Sequence, residues 1–210
     1  MNIHDLFTPA STTINTNGNI VFRSDMNGTA QLDDASNATI NGVVQVERYI
    51  PAKRAFRLIA SSVNSTNSIY QNWQENGSTA AGLGTHITGS LTGANGFDMT
   101  ASGNASMFTY DAINSTWVNQ ANTDVSTLQV GTAYRLMVRG DRTVDITQNA
   151  PTATNTTLRA KGNLHLGDFN SSLATSNGDF IMIANPYQAN VDFKTVLNDV
   201  STSGLNVNYA

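Results

Sequence analysis

The chain carries eleven basic side chains, and seven of them crowd into two short stretches: Arg48, Lys53, Arg54 and Arg57 in the first, Arg135, Arg139 and Arg142 in the second. Arginine in such density is suited to gripping anions, because the planar guanidinium presents paired N–H donors that match the two oxygens of a carboxylate. Held on one sheet face, Arg48, Arg57, Arg135 and Arg139 would bind an anionic polysaccharide or a neighbouring subunit. The competing role is structural, with the same cations neutralised by Glu47, Asp141, Asp145 and carbonyl oxygens at one end of the fold. Trp73 and Trp117, with Tyr110 and Tyr187, are the side chains able to stack on sugar rings, provided that they are exposed and coplanar.

Other chemistries find less support. Glycoside hydrolysis needs two carboxylates facing a cleft, and Glu47 and Glu75 are the only glutamates. Glu47, set among basic residues, suits a cross-strand ion pair. His4, His86 and His165 lack the helical spacing and carboxylate companions of a metal site. His86, in the glycine-rich GTHITG, fits a loop residue bonded to backbone. No serine sits in a Gly-x-Ser-x-Gly elbow, and no glycine-rich loop opens a helix. Asp25-Met26-Asn27-Gly28 and Asp33-Asp34 offer oxygens to calcium but lack the repeating pattern of a calcium loop, so no cofactor is expected. Arg139-Gly140-Asp141 spells an integrin-binding tripeptide. Directly after an apolar strand, its Gly-Asp pair reads more simply as the turn that ends the strand.

The elements that must hold these residues are strands. Residues 43–60 and 133–146 alternate bulky apolar with polar side chains, the period of a half-buried strand. In the first, Val44, Val46, Arg48 and Ile50 share a face; Pro51 interrupts it, and Phe56, Leu58 and Ala60 resume. In the second, Tyr134, Leu136 and Val138 face one way, and Arg135, Met137 and Arg139 the other. Both stretches contain the kernel Ala-aromatic-Arg-Leu. Residues 107–110 and 116–119 predict a hairpin, and the apolar run 180–184 predicts the most buried strand. Two short helical pieces are expected, at 68–75 with Trp73 turned inward and at 191–200 with Val191, Phe193, Val196, Leu197 and Val200 as an apolar stripe. The glycine-rich loop 79–103 is expected to lie along the main sheet. In residues 1–43 the Asn-Gly pairs at 17, 27 and 41 mark either tight hairpins or the corners of a β-solenoid.

Only 12% of residues are charged, the net charge is −4, and Asn, Thr, Ser and Gly are abundant. Such a surface suits turns and exposed strand faces, and the acidic balance argues against nucleic acid. The absence of cysteine excludes disulfides and thiolate chemistry. No apolar run is long enough for a membrane span. His4 and Asp5 stand where a signal peptide would place basic residues, so the chain reads as a mature form or a fragment of a longer precursor.

The phrases VQVERYIPAKRAFRL, NWQENG, GTHITGS, NGFD, SMFTYD, GTAYRLMVRGDRTVDIT, TTLRAKGNL and IANPYQANVDF occur in this order. Together they resemble a region of large secreted surface proteins of Bacteroidetes, flavobacterial in type, found upstream of the C-terminal sorting domain of the type IX secretion system. The resemblance runs over residues 38–195, and residues 1–37 resemble the strand repeats that often precede that region. It implies export and display on, or release from, the cell, and it carries no catalytic residues. Residues and resemblance together lead to an all-β fold: a strand-rich, solenoid-like extension (residues 1–43) before a β-sandwich or jelly roll (residues 44–210). The core is expected in 44–50, 56–60, 107–110, 134–138 and 180–183. The expected function is that of a non-enzymatic extracellular structural or adhesive protein, self-assembling into oligomers or filaments. The alternative is a carbohydrate-binding module.

Overall fold

Short apolar–polar alternations with Asn-Gly corners stack at the N-terminus as parallel rungs in the computed structural model, which describes residues 1–170 and 180–199. The first rung holds β1 (Asn2–Ile3), β2 (Leu6–Phe7) and β3 (Thr13–Asn15). The second holds β4 (Ile20–Phe22), a hairpin excursion of β5 (Ser24–Asp25) and β6 (Gly28–Thr29), then β7 (Gln31–Leu32) and β8 (Thr39–Asn41). The pairs β1–β4, β2–β7 and β3–β8 are all parallel. In β3 and β8 identical residues stack, Thr13 on Thr39, Ile14 on Ile40 and Asn15 on Asn41, and the Asn41 amide donates to Asn15 Oδ1 at 3.3 Å. Ile3, Ile20, Phe22, Ala30 and Leu32 fill the interior. Of the two arrangements the Asn-Gly corners allow, the solenoid is formed, and only Asn27-Gly28 turns a hairpin.

The stack runs directly into the sandwich, because β4 pairs parallel with β9 (Val44–Ile50). Pro51 then lacks the N–H that would extend the ladder, and the chain crosses to a second sheet as β10 (Ala55–Ala60). It returns for β11 (Val63–Asn64), and β12 (Thr88–Ser90) and β13 (Asp98–Met99) pair within the glycine-rich loop. The hairpin β14 (Met107–Asp111) and β15 (Thr116–Asn119) forms as expected, followed by β16 (Ala133–Val138) and β17 (Thr156–Leu164). One sheet has the order β1-β4-β9-β17-β11, the other β10-β16-β14-β15. Val44, Val46, Ile50, Leu158 and Ala160 from the first meet Met107, Tyr134, Leu136 and Val138 from the second in a single core, each burial contributing about 1.5–3 kcal/mol for the larger side chains. The protein is all-β.

Trp73 is 3% exposed and closes this core edge-on to Tyr134, ring centroids 5.6 Å apart. Its segment folds as consecutive turns ending in a 3-10 turn at Glu75–Gly77, not as a regular α-helix. The loop expected along the main sheet does lie there: Gly84 N donates to Thr157 O at 3.0 Å and Thr157 N to Gly82 O at 2.8 Å. A short helix, α1 (Phe193–Asp199), falls inside the stretch expected to be helical. Val191 and Phe193 of its apolar stripe are exposed, while Val200 lies outside the described residues.

Two expectations are corrected. Residues 180–184 form no strand and are not the most buried segment, with Phe180 72% and Ile183 45% exposed although Ala184 is buried. An apolar run becomes a buried strand only where a sheet takes it up, and no described strand pairs with this one. Phe56 and Leu58 do not resume the core face either. The crossing at Pro51 resets the alternation, so that Ala55, Arg57 and Ile59 occupy the inward positions and Phe56 and Leu58 point outward, Leu58 being 72% exposed.

Candidate interaction surfaces

The four arginines singled out above do not share one sheet face. Arg135, on β16, points outward between strands, and the register sets Leu58 and Phe108 on either side of it. Its guanidinium carbon stands 3.9 Å from the centroid of Phe56, 5.1 Å from Trp117 and 5.7 Å from Phe108. Phe56 and Phe108 meet edge-to-face at 6.0 Å, and Tyr110 and Trp117 at 5.2 Å with planes inclined by 61°. The outer face of the four-stranded sheet is therefore aromatic and apolar around one cation, an arrangement that each cation–π contact supports by about 0.5–2 kcal/mol.

Arg48 and Arg57 enter the space between the sheets from opposite sides. Both line a cleft of about 580 Å³, together with Tyr49, Ile50 and Ile59 of the two strands and with residues 181–185. Arg139 sits half-buried beyond the end of β16, where desolvation and the nearby Arg54 charge lower its pKa. The acids proposed as neutralising partners are engaged elsewhere. Glu47 accepts from Arg23 Nη1 at 2.8 Å across the β4–β9 pair, so it is a cross-strand ion-pair residue with a partner outside the clustered arginines. Asp141 accepts from Gly82 N at 2.6 Å and Thr143 Oγ1 at 2.6 Å. Asp145 accepts from Thr147 and Gln148.

A densely bonded polar cluster brings His86 and Arg142 together on Asp98, a residue not singled out in the sequence. Asp98 accepts from Arg142 Nη1 and Nη2 at 2.8 and 2.7 Å, from Gln74 Nε2 at 3.1 Å and from Ile87 N at 2.9 Å. His86 Nδ1 lies 3.2 Å from the same carboxylate, and its Nε2 is 3.1 Å from Arg142 O, the backbone contact expected of a loop histidine. Burial pushes the Asp98 carboxyl up, but hydrogen bonds from His86 and Arg142 and their charge outweigh it and hold the group well below the usual carboxylate range. Arg142 also donates to Thr85 O and Ser78 O, so the cluster clamps the glycine-rich loop to the turn after β16. A second clamp pairs Arg159 Nε with Glu75 Oε1 at 2.9 Å.

The remaining motifs are turns. Gly140, at φ 130°, bends the chain where β16 ends, and Asp141 is buried, so the Arg-Gly-Asp tripeptide is not displayed. Asp25 caps the β5–β6 turn through Asn27 N at 2.7 Å. Asp34 accepts from Ser36 N and Asp33 from Thr8 Oγ1, both at 2.8 Å. Among the described residues no three acidic, histidine or cysteine side chains group as a metal site, and no helix is long and apolar enough to cross a membrane. Of the four aromatics able to stack on sugars, Trp73 is core, Trp117 is exposed, and Tyr110 and Tyr187 are half-buried, Tyr187 donating its hydroxyl to Gly167 O at 3.0 Å. Comparisons with protein-family models, with curated proteins and with solved structures find no match to this chain.

Proposed function

We propose that the chain is a non-enzymatic structural or adhesive protein of a bacterial exterior that self-associates through its four-stranded sheet. The observation that carries this reading is the open outer face, on which Phe56, Leu58, Phe108 and Trp117 surround Arg135. Contiguous apolar surface of this kind marks interaction sites in soluble proteins. The adjoining edge strand β15 is exposed along its whole length, and its Thr116 and Asn119 ends are neutral, so nothing repels a strand from a second copy. Placement outside the cell is supported by the resemblance to exported surface proteins and by the low-charge, Asn- and Thr-rich composition.

Carbohydrate binding is the second reading, supported by the exposure of Trp117 beside Tyr110 and the Arg135 guanidinium. The 61° inclination of the two rings disfavours it, because a flat platform presents ring faces in one plane. Sedimentation and negative-stain microscopy at high protein concentration test the first reading: ordered oligomers or filaments are expected, and a strictly monomeric protein overturns it.

A further inference from the structure

The cleft lined by Arg48 and Arg57 takes consecutive residues from three segments, 48–51, 57–60 and 181–185, together with Ser62, Ala133 and Tyr187, so both faces of β10 contribute to its border. Among the described residues strand β10 pairs with β16 alone, so its other edge has N–H and C=O groups that join no described ladder. Residues 181–184, which also line the cleft, belong to no sheet among the described residues. An unpaired strand edge and an unassigned segment therefore border a gap of about 580 Å³.

The charge inside the gap is one-sided. Arg48 and Arg57 both line it, and among the described lining residues there is no Asp or Glu. Neither arginine joins an ion pair among the described residues. Arg57 Nε is buried without a hydrogen-bond partner, and its Nη2 makes only a 3.5 Å contact to Lys53 O. Although Arg48 is exposed to the open space of the cleft, desolvation by the surrounding protein lowers its pKa. Ile50, Ile59, Ile181 and Ile183 supply apolar lining beside the cations.

We propose that this cleft is a binding site for an extended acidic peptide, which adds as a strand to the free edge of β10 and places carboxylates on Arg48 and Arg57. A strand satisfies the backbone edge, its apolar side chains meet the isoleucine lining, and alternate acidic residues complement the guanidiniums. A small anion would leave the edge unpaired, and a neutral sugar would leave both cations without a counter-charge. The cleft shares Leu58 with the face around Arg135 but none of the rings there, and the self-association reading uses neither its cations nor the β10 edge, so the proposal does not rest on that reading.

The test uses the full chain and three probes: a labelled peptide of alternating valine and glutamate, the same peptide with lysine for glutamate, and free glucuronate. Fluorescence anisotropy should report binding of the glutamate peptide only, and hydrogen exchange should slow at residues 55–60 when it binds. Arg48→Glu and Arg57→Glu should each weaken binding about tenfold or more, whereas Arg54→Glu, outside the cleft and bonded to Asn149 O, should leave it unchanged. Equal binding of the lysine peptide, displacement by glucuronate, binding without protection of 55–60, or no binding overturns the proposal. The peptide comparison needs only the unaltered protein, so a variant that fails to fold does not blunt it.

Discussion

Arg142 grips Asp98 with both Nη atoms, at 2.8 and 2.7 Å, across 44 positions of chain, and so ties the turn after β16 to the strand pair inside the glycine-rich loop. Both side chains are largely removed from water, 5% and 13% exposed. A buried pair whose remaining donors and acceptors are also satisfied holds position; one deprived of a partner leaves an uncompensated charge. Asp98→Ala is expected to destabilise the protein by about 3–5 kcal/mol, and Arg142→Met by a similar amount, as read from urea denaturation. The double variant should lose less than the sum of the two, since the orphaned charge is absent.

The same pair gives a pH dependence of known sign. The folded Asp98 carboxyl titrates below its ordinary 3.8 because Arg142 and His86 more than offset its burial. Its contribution to stability is therefore complete above the ordinary carboxylate value and is lost as the pH falls through the lower, folded value. The stability gap between the unaltered protein and Asp98→Asn should shrink as the pH falls below that ordinary value. Urea midpoints measured below it check this; a gap that widens over that range has the wrong sign for the arrangement described.

Gly162 gives a purely steric prediction. It lies in β17 against β11, and a Cβ placed there would stand 2.3 Å from Asn64 O and 2.7 Å from Asn64 C. Backbone cannot step aside as a flexible side chain would. Gly162→Ala should destabilise by about 1–3 kcal/mol, whereas Gly28→Ala, with open space around the added methyl, should change stability by less than about 0.5 kcal/mol. Thermal melting of the two variants separates the outcomes.

The strands at 44–50 and 133–138 were legible because alternation records a half-buried face directly. Which face is inward was not legible wherever the chain changed sheets. Phe56 and Arg57 exchange their expected places after Pro51, since a period of two names two faces without choosing between them. The Asn-Gly corners could not separate hairpins from rungs, because both need the same tight turn; the in-register stack of Thr13-Ile14-Asn15 on Thr39-Ile40-Asn41 resolves it. The run 180–184 looked buried on hydrophobicity alone, a quantity blind to whether a neighbouring strand exists. Asp98 left no signal at all. Its partners come from Gln74, His86 and Arg142, loop and turn residues with no periodicity to connect them.

The two tryptophans supply the last prediction, since sequence gives them equal standing and the fold does not. Trp73 is sealed in the core against Tyr134, and its loss removes a large buried surface and leaves a cavity, so Trp73→Ala should cost about 3–5 kcal/mol. Trp117 is 37% exposed on an edge strand, where truncation should cost less than about 1 kcal/mol and leave the melting transition cooperative. Its effect belongs to the outer face instead. Removing it takes away one of the three rings around Arg135 and, on the self-association reading, should shift sedimentation toward monomer at a given concentration. Retention on immobilised polysaccharides separates the two readings with the same variant. If unaltered protein is retained and Trp117→Ala is not, the face binds sugar; if neither is retained and only self-association responds, the face binds another copy.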